Sequence, residues 1–275
     1  TIFSVVNAVL LKPLPYRDGA QLVYVWADLR NRNVEDFPWA PGHVWDTQQR
    51  ATVFDGVAGV FTGRTFMRAE GMEPEQVVVA NGTTNMLRVL GARVAVGRDF
   101  QDSDAALPPP PPSVEPGTVA APPPPPLPVT AIISDGLWQR RYGGDPDIVG
   151  QTVPLGNGNG RAHIIGVLEP GVELLFPAGV AVERQPDIFT VPRFDFAGAN
   201  RNNVSLRVFG RLKDGVSVEQ AQMQVDQIAK CANVPDYGWL GRSAPVDIAL
   251  HLERPFFSVL APSERLGHIT GLAAD

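Results

Sequence analysis

Apolar residues fall into short blocks separated by Gly and Pro, and the period of each block indicates the element it can build. The first block, Ile2–Leu11, is apolar almost throughout and halts at Lys12, Pro13 and Pro15. It reaches about half of the roughly 20 residues that a membrane-spanning helix needs. Gln21–Trp26 (QLVYVW) is β-branched and aromatic and reads as a buried strand. In PGHVWDTQQRA, Pro41 suits a helix start and Val44, Trp45 and Gln48 fall within one turn, which predicts a short helix. VAGVFTGRTFMRAEGMEPEQVVVANGTT predicts two antiparallel strands with a turn around Glu70–Pro74, carried by Gly71 and Pro74. NMLRVLG gives one or two helical turns that stop at Gly91, followed by a loop.

The middle of the chain is low in complexity. Pro108–Pro112 and Pro122–Pro126, with Pro128 beyond, favour extended polyproline II and cannot join a sheet ladder or a helix interior. They read as a stiff, solvated excursion. Regular structure returns at Val129–Ser134, a strand that runs into SDGLWQRRYGG. There Ser134 is an N-cap, Asp135 suits the positive helix end, and Gly143 suits a left-handed stop. QTVPLGNGNGRAHIIGVLE reads as a hairpin turning at GNGNG, and DIFTVP as a further strand. Val204, Leu206 and Val208 alternate as in a strand; after Asp214–Gly215, Ser217 and Gln220 form a capping box. Val218, Ala221, Val225 and Ile228 then make a helical apolar stripe. APVDIALHLE adds one more strand. Strands mixed with helices, with hairpins among them, predict an α+β protein.

Length and composition fit a globular chain of one large or two small domains: 275 residues, 44% hydrophobic and 19% charged. A net charge of −6 with scattered Arg argues against a nucleic-acid partner. The single cysteine, Cys231, excludes an internal disulfide and a cysteine-ligated zinc cluster.

Catalytic constellations do not emerge. Ser134 lies between a strand and a helix, but IISDG lacks the glycine pattern of a nucleophile elbow, so the cap reading holds. His43, His163, His251 and His268 are far apart and show no metal-ligand pair. Asp99, Asp102 and Asp104 lack the glycine bend and closing Glu of a calcium loop and read as a solvated acidic loop. GNGNG precedes a strand, so no helix N-terminus would meet a phosphate there, and no Walker-type loop occurs. The sequons at Asn81 and Asn203 lie in predicted strands. No catalytic, cofactor or metal residue is assigned, which favours a binding, scaffolding or transducing role.

Several phrases in fixed order carry a resemblance. TIFSVVNAVLLKPLPYRD with QLVYVW, then VFDGVAGVF, EPEQVVVANGTTNMLRVLGARVAVGRDF, ISDGLWQRRYGGDPDIVGQTVPL, HIIGVLEPGVELLFP and VFGRLKDGVSVEQAQMQVDQI resemble bacterial MacB-like ABC-transporter permeases, of the large acidobacterial type. The resemblance covers about Thr1 to Leu252 apart from the proline insertion.

It implies a periplasmic core domain between the first and second transmembrane helices. Residues 1–16 are then the outer end of the first membrane helix and its exit linker, with Ile2, Phe3, Val5, Val6, Val9, Leu10 and Leu11 as the helix remnant. A porter-like mixed sheet-and-helix subdomain is expected from 21–90 plus 203–252. A smaller, β-rich subdomain is expected at 91–202, containing the Pro-rich loop 107–128. The tail 253–275, with Pro262, Glu264 and Arg265, departs from the family's continuation into a second membrane helix. The resemblance further implies no cofactor in this chain, ATP being bound on a separate nucleotide-binding subunit or domain. Its expected partners are the inner membrane, an ABC ATPase subunit, a second permease copy and periplasmic proteins. The expected function is non-catalytic relay of ATP-driven motion to export or mechanical signalling. The alternative is a free-standing secreted binding module with the opening run as part of a signal.

Overall fold

The computed structural model describes residues 16, 19–29, 33–69, 72–108, 126–156, 159–177, 179–199, 203–231 and 248–253. The expected membrane-helix remnant, most of the proline-rich loop and nearly all of the tail lie outside them. Among the described residues, eleven strands and four α-helices follow in order: β1 (Leu22–Leu29), β2 (Val34–Phe37), α1 (Pro41–Arg50), β3 (Phe54–Ala69), β4 (Met72–Gly82), α2 (Met86–Leu90) and β5 (Val94–Gly97). Then come β6 (Val129–Ile133), α3 (Asp135–Tyr142), β7 (Thr152–Pro154), β8 (Arg161–Leu168), β9 (Ile188–Val191), β10 (Arg207–Leu212), α4 (Val218–Cys231) and β11 (Ile248–Glu253).

All strands join one sheet in the order β11-β1-β10-β3-β4-β9-β6-β8-β5, with β2 on β1 and β7 on β8. This is an α+β fold. Two pairings, β4 with β9 and β6 with β8, are parallel. The β6–β8 pair needs a crossover, which α3 and β7 supply. Strands from the 91–202 stretch occupy one end of the order, and β1, β10 and β11 the other. The long β3–β4 hairpin belongs to both. Its base pairs with β10, its middle reaches β9 through Val79–Asn81 of β4, and nearer the tip Met67 bridges Leu155, the residue after β7. The Gly156 amide adds a 2.8 Å hydrogen bond to the Phe66 carbonyl. The far part of the sheet therefore curls back upon itself.

The sequence explains β1 directly. Leu22, Tyr24 and Trp26 enter one apolar cluster, and Val23, Val25 and Ala27 enter another on the opposite face. Both faces are covered, so the run is apolar without alternation. The first cluster also takes Phe209, Phe189, Ile132 and Leu87. The second is closed by α1 through Val44 and by α4 through Ala221 and Val225. A third, among Met67, Val77, Val79, Ile133, Ile164 and Leu137, fills the curled part.

Local caps match expectation. Ser134 Oγ accepts from the Leu137 amide at 3.2 Å, and α3 stops at Gly143. The Ser217 and Gln220 side chains each bond the other's backbone amide, at 3.2 and 2.9 Å.

Four expectations need correction, and one strand carries no sequence signal. Gln21 belongs to a short 3-10 turn, and the strand begins one residue later and runs on to Leu29. Pro74 lies inside β4, where Glu73 and Pro74 together oppose Arg68 in a bulge. A bulged stretch spares proline the amide it cannot donate. The stretch after Gly91 holds β5, which takes its pairing from β8, about 70 residues away in sequence. Strand β2 has no apolar alternation and forms by pairing with β1. Asn203 lies before β10 and outside any strand, whereas Asn81 is in β4.

Candidate functional site

The expected site residues of the membrane-helix remnant, Ile2 to Leu11, lie outside the described residues. The chain enters the described fold just after that segment. Tyr16 is buried in the first cluster, and a 3-10 turn at Gly19–Gln21 leads into β1. β11 runs antiparallel beside β1 with Tyr24 opposite Glu253. The first and last described stretches thus meet at one end of the strands, the basal edge. β3 also starts there, with Phe54 opposite Leu212. From that edge its 16 residues run on the order of 50 Å to the far tip.

A strap formed by the residues after β8 crosses the face of β1 and β10. Phe176 stacks on Tyr24 with ring centroids 4.7 Å apart, and stands edge-on to Trp26 at 6.3 Å and to Phe209 at 6.1 Å. The Tyr24 hydroxyl donates to the Leu175 carbonyl. Arg207 Nε donates to the Val180 carbonyl at 3.0 Å. Farther on, the Glu183 amide donates to Thr62 Oγ1 at 2.8 Å and Arg64 pairs with Glu183 at 2.6 Å. Tyr16 shares a cluster with Leu174 and Leu175 of this strap, and burial pushes its phenol well above the usual tyrosine range. The strap so clasps the segment leading into β1, β1 itself, β10 and β3.

At the far end, charge ties α3 to the hairpin. Arg140 bonds Glu75 and Asp187, both at 2.7 Å, and Arg141 bonds Glu75 at 3.0 Å. Partial burial works against the Glu75 carboxylate, but the hydrogen bonds from both guanidiniums hold its carboxyl below the usual glutamate range. Asp187 also accepts from the Val78 amide at 2.8 Å, which fixes β9 beside β4.

The sequence candidates for chemistry have structural work. Ser134 caps α3. Arg98 pairs with Asp104 at 2.7 Å, and Asp102 accepts from Thr84, so the acidic loop is bonded to its neighbours and not merely solvated. Among the described residues no three His, Cys, Asp or Glu converge as a metal site. Sequence reasoning missed the aromatic clasp, because Phe176 lies in the irregular ELLFP and meets Tyr24 across a gap that no periodicity reveals.

The MacB-like periplasmic core domain family matches residues 1–228. Among solved structures, a domain of a putative permease from Porphyromonas gingivalis is 17% identical, with a TM-score of 0.58 over 88% of this chain and 92% of that one. The periplasmic region of MacB from Actinobacillus actinomycetemcomitans is 10% identical, with a TM-score of 0.52 over 93% and 95%. The extracellular domain of the noncanonic ABC-type transporter YknZ from Gram-positive bacteria is 13% identical, with a TM-score of 0.51 over 83% and 98%. At these identities the likeness is one of fold. No curated protein matches the sequence. Within the described residues no helix is long and apolar enough to cross a membrane. On the family match, this chain belongs to the periplasmic core domains of MacB-like ABC-transporter permeases.

Proposed function

We propose that the chain is an extracytoplasmic relay, held at the inner membrane by the helix that ends near Leu11 and performing no bond-breaking chemistry. ATP acts on a separate nucleotide-binding subunit or domain, and the resulting motion reaches this domain through the membrane helices. The domain passes it on to export or to mechanical signalling, working with an ABC ATPase, a second permease copy and periplasmic proteins. Residues 21–90 with 203–252 act as the porter-like part and 91–202 as the inserted part, with the β3–β4 hairpin as the beam between them.

The observation that supports this reading best is the antiparallel placement of β1 beside β11. A domain hung between two membrane helices needs its incoming and outgoing strands at one edge. A displacement there enters β1, and β10 hands it to β3 through the backbone hydrogen bonds of two antiparallel pairings. The Phe176 clasp resists slippage between these strands and the strap.

Side-specific labelling tests the placement. Lys213 is exposed near the basal edge, so Lys213→Cys in a Cys231→Ser background should react with a membrane-impermeant maleimide in cells whose inner membrane is intact. Reaction only after that membrane is broken would contradict the proposal.

A further inference from the structure

A cleft of about 630 Å³ opens at the basal edge, between α2, the 3-10 turn that precedes β1 and the first residues of β3. Several of its lining residues are occupied. Arg211 donates to the Val89 and Leu90 carbonyls at 2.9 and 3.1 Å, so it closes the α2 C-terminus, and Asp214 accepts from the Gln21 side-chain amide. Three others stand differently. The side chains of Asp55, Arg88 and Arg93 line the cleft, are solvent-exposed, and make no hydrogen bond or ion pair among the described residues. Asp99 senses the Arg88 charge without bonding to it.

Local geometry presents these groups deliberately. The register of β3 against β10 shifts between Arg211 and Leu212, leaving Asp55 without a partner on β10, as the extra residue of a bulge. Bulges re-aim side chains. Gly56, next to it, lets α2 approach closely: a Cβ there would stand 2.7 Å from Val89 Cγ2. That approach sets Arg88 and Arg93, on and just after α2, against the bulge.

Two guanidinium forks match the oxygens of a phosphate, and an unpaired carboxylate matches an ammonium that can donate hydrogen bonds. A purely anionic ligand would face Asp55 and Asp214, and a purely cationic one would face three arginines. A zwitterion satisfies both signs. We propose that this cleft binds a phosphoethanolamine-type group, its phosphate between Arg88 and Arg93 and its ammonium against Asp55. Such a group occurs free or as a lipid headgroup. The lipid source rests on the membrane placement proposed above, since the cleft lies at the edge where the chain leaves the bilayer.

Calorimetric titration of the whole chain with O-phosphoethanolamine tests the chemistry. Saturable binding is expected, weakened at least about tenfold by Arg88→Gln with Arg93→Gln. Asp55→Asn should abolish the preference over inorganic phosphate. These side chains are exposed, so the substitutions leave the core intact. Co-sedimentation with phosphatidylcholine vesicles, with and without phosphatidylethanolamine, separates the sources. A phosphatidylethanolamine preference that the arginine substitutions remove assigns the lipid, and soluble binding without it assigns a free ligand. No saturable binding, or variants that bind as the parent does, would overturn the proposal. The titration does not depend on which side of a membrane the domain occupies, so its failure is separable from failure of the labelling experiment.

Discussion

Phe176 lies stacked on Tyr24, 4.7 Å between ring centroids and 28° between planes, and the Tyr24 hydroxyl bonds the carbonyl of the neighbouring Leu175. One strand residue thus meets two neighbouring strap residues, far from it in sequence, by ring contact with Phe176 and a hydrogen bond to Leu175. Phe176→Ala should cost about 2 kcal/mol, below the full-burial range because the ring is only half-buried. Tyr24→Phe keeps the stack and removes the hydroxyl, costing about 1 kcal/mol. Urea unfolding gives both values, and hydrogen exchange should show faster opening around Leu174 and Leu175 in each variant.

Glycine substitutions should split in sign. Gly97 has φ of 86°, and a Cβ there would collide with the Ile165 backbone carbonyl. Gly97→Ala should therefore destabilise by about 2 kcal/mol or more. Gly63 is exposed in β3, and an added methyl group there would meet nothing within 4 Å. Gly63→Ala should stabilise by roughly 0.5 kcal/mol, because it restricts the unfolded chain. Thermal unfolding of the two variants side by side checks this.

Acid should loosen the far end of the hairpin. The Glu75 carboxyl is held below its ordinary range by Arg140 and Arg141, against the opposing effect of burial, and Asp104 is held low by Arg98. A group with a depressed folded pKa contributes stability above its unfolded pKa and loses it as pH falls through the folded one. Asp99 acts oppositely: burial raises its carboxyl, so its contribution fades as pH rises. Glu75→Gln should flatten the decline in stability below the ordinary glutamate range. An unchanged acid limb would remove Glu75 from the account.

Loss of either helix cap should be costly only in stability. Ser134→Ala and Ser217→Ala each remove an acceptor from a first-turn amide, at about 1 kcal/mol apiece. Sites so distant should add within experimental error. Denaturant titration of both single variants and the double variant measures it.

Which parts of this structure a reader of the sequence could find follows from the reach of each signal. Ser134, Gly143, Ser217 and Gln220 act within four or five residues, so spacing reveals them. The apolar run at Leu22–Ala27 records burial on both faces. In contrast, β5 and β2 are strands only because partners elsewhere bind them. The Met67–Leu155 closure, the clasp and the Asp55 bulge depend on tertiary register, and no local pattern encodes it.

The relay itself is tested most directly in the complete transporter, reconstituted in vesicles with its ATPase. Arg68, exposed near the hairpin tip, carries a fluorophore as Arg68→Cys with Cys231→Ser, and an acceptor dye marks the membrane surface. ATP should change the tip-to-membrane transfer efficiency. Tyr24→Ala with Phe176→Ala should abolish that change while ATP hydrolysis continues. An equal change with the clasp removed, or no ATP-dependent change in the parent protein, would contradict the account.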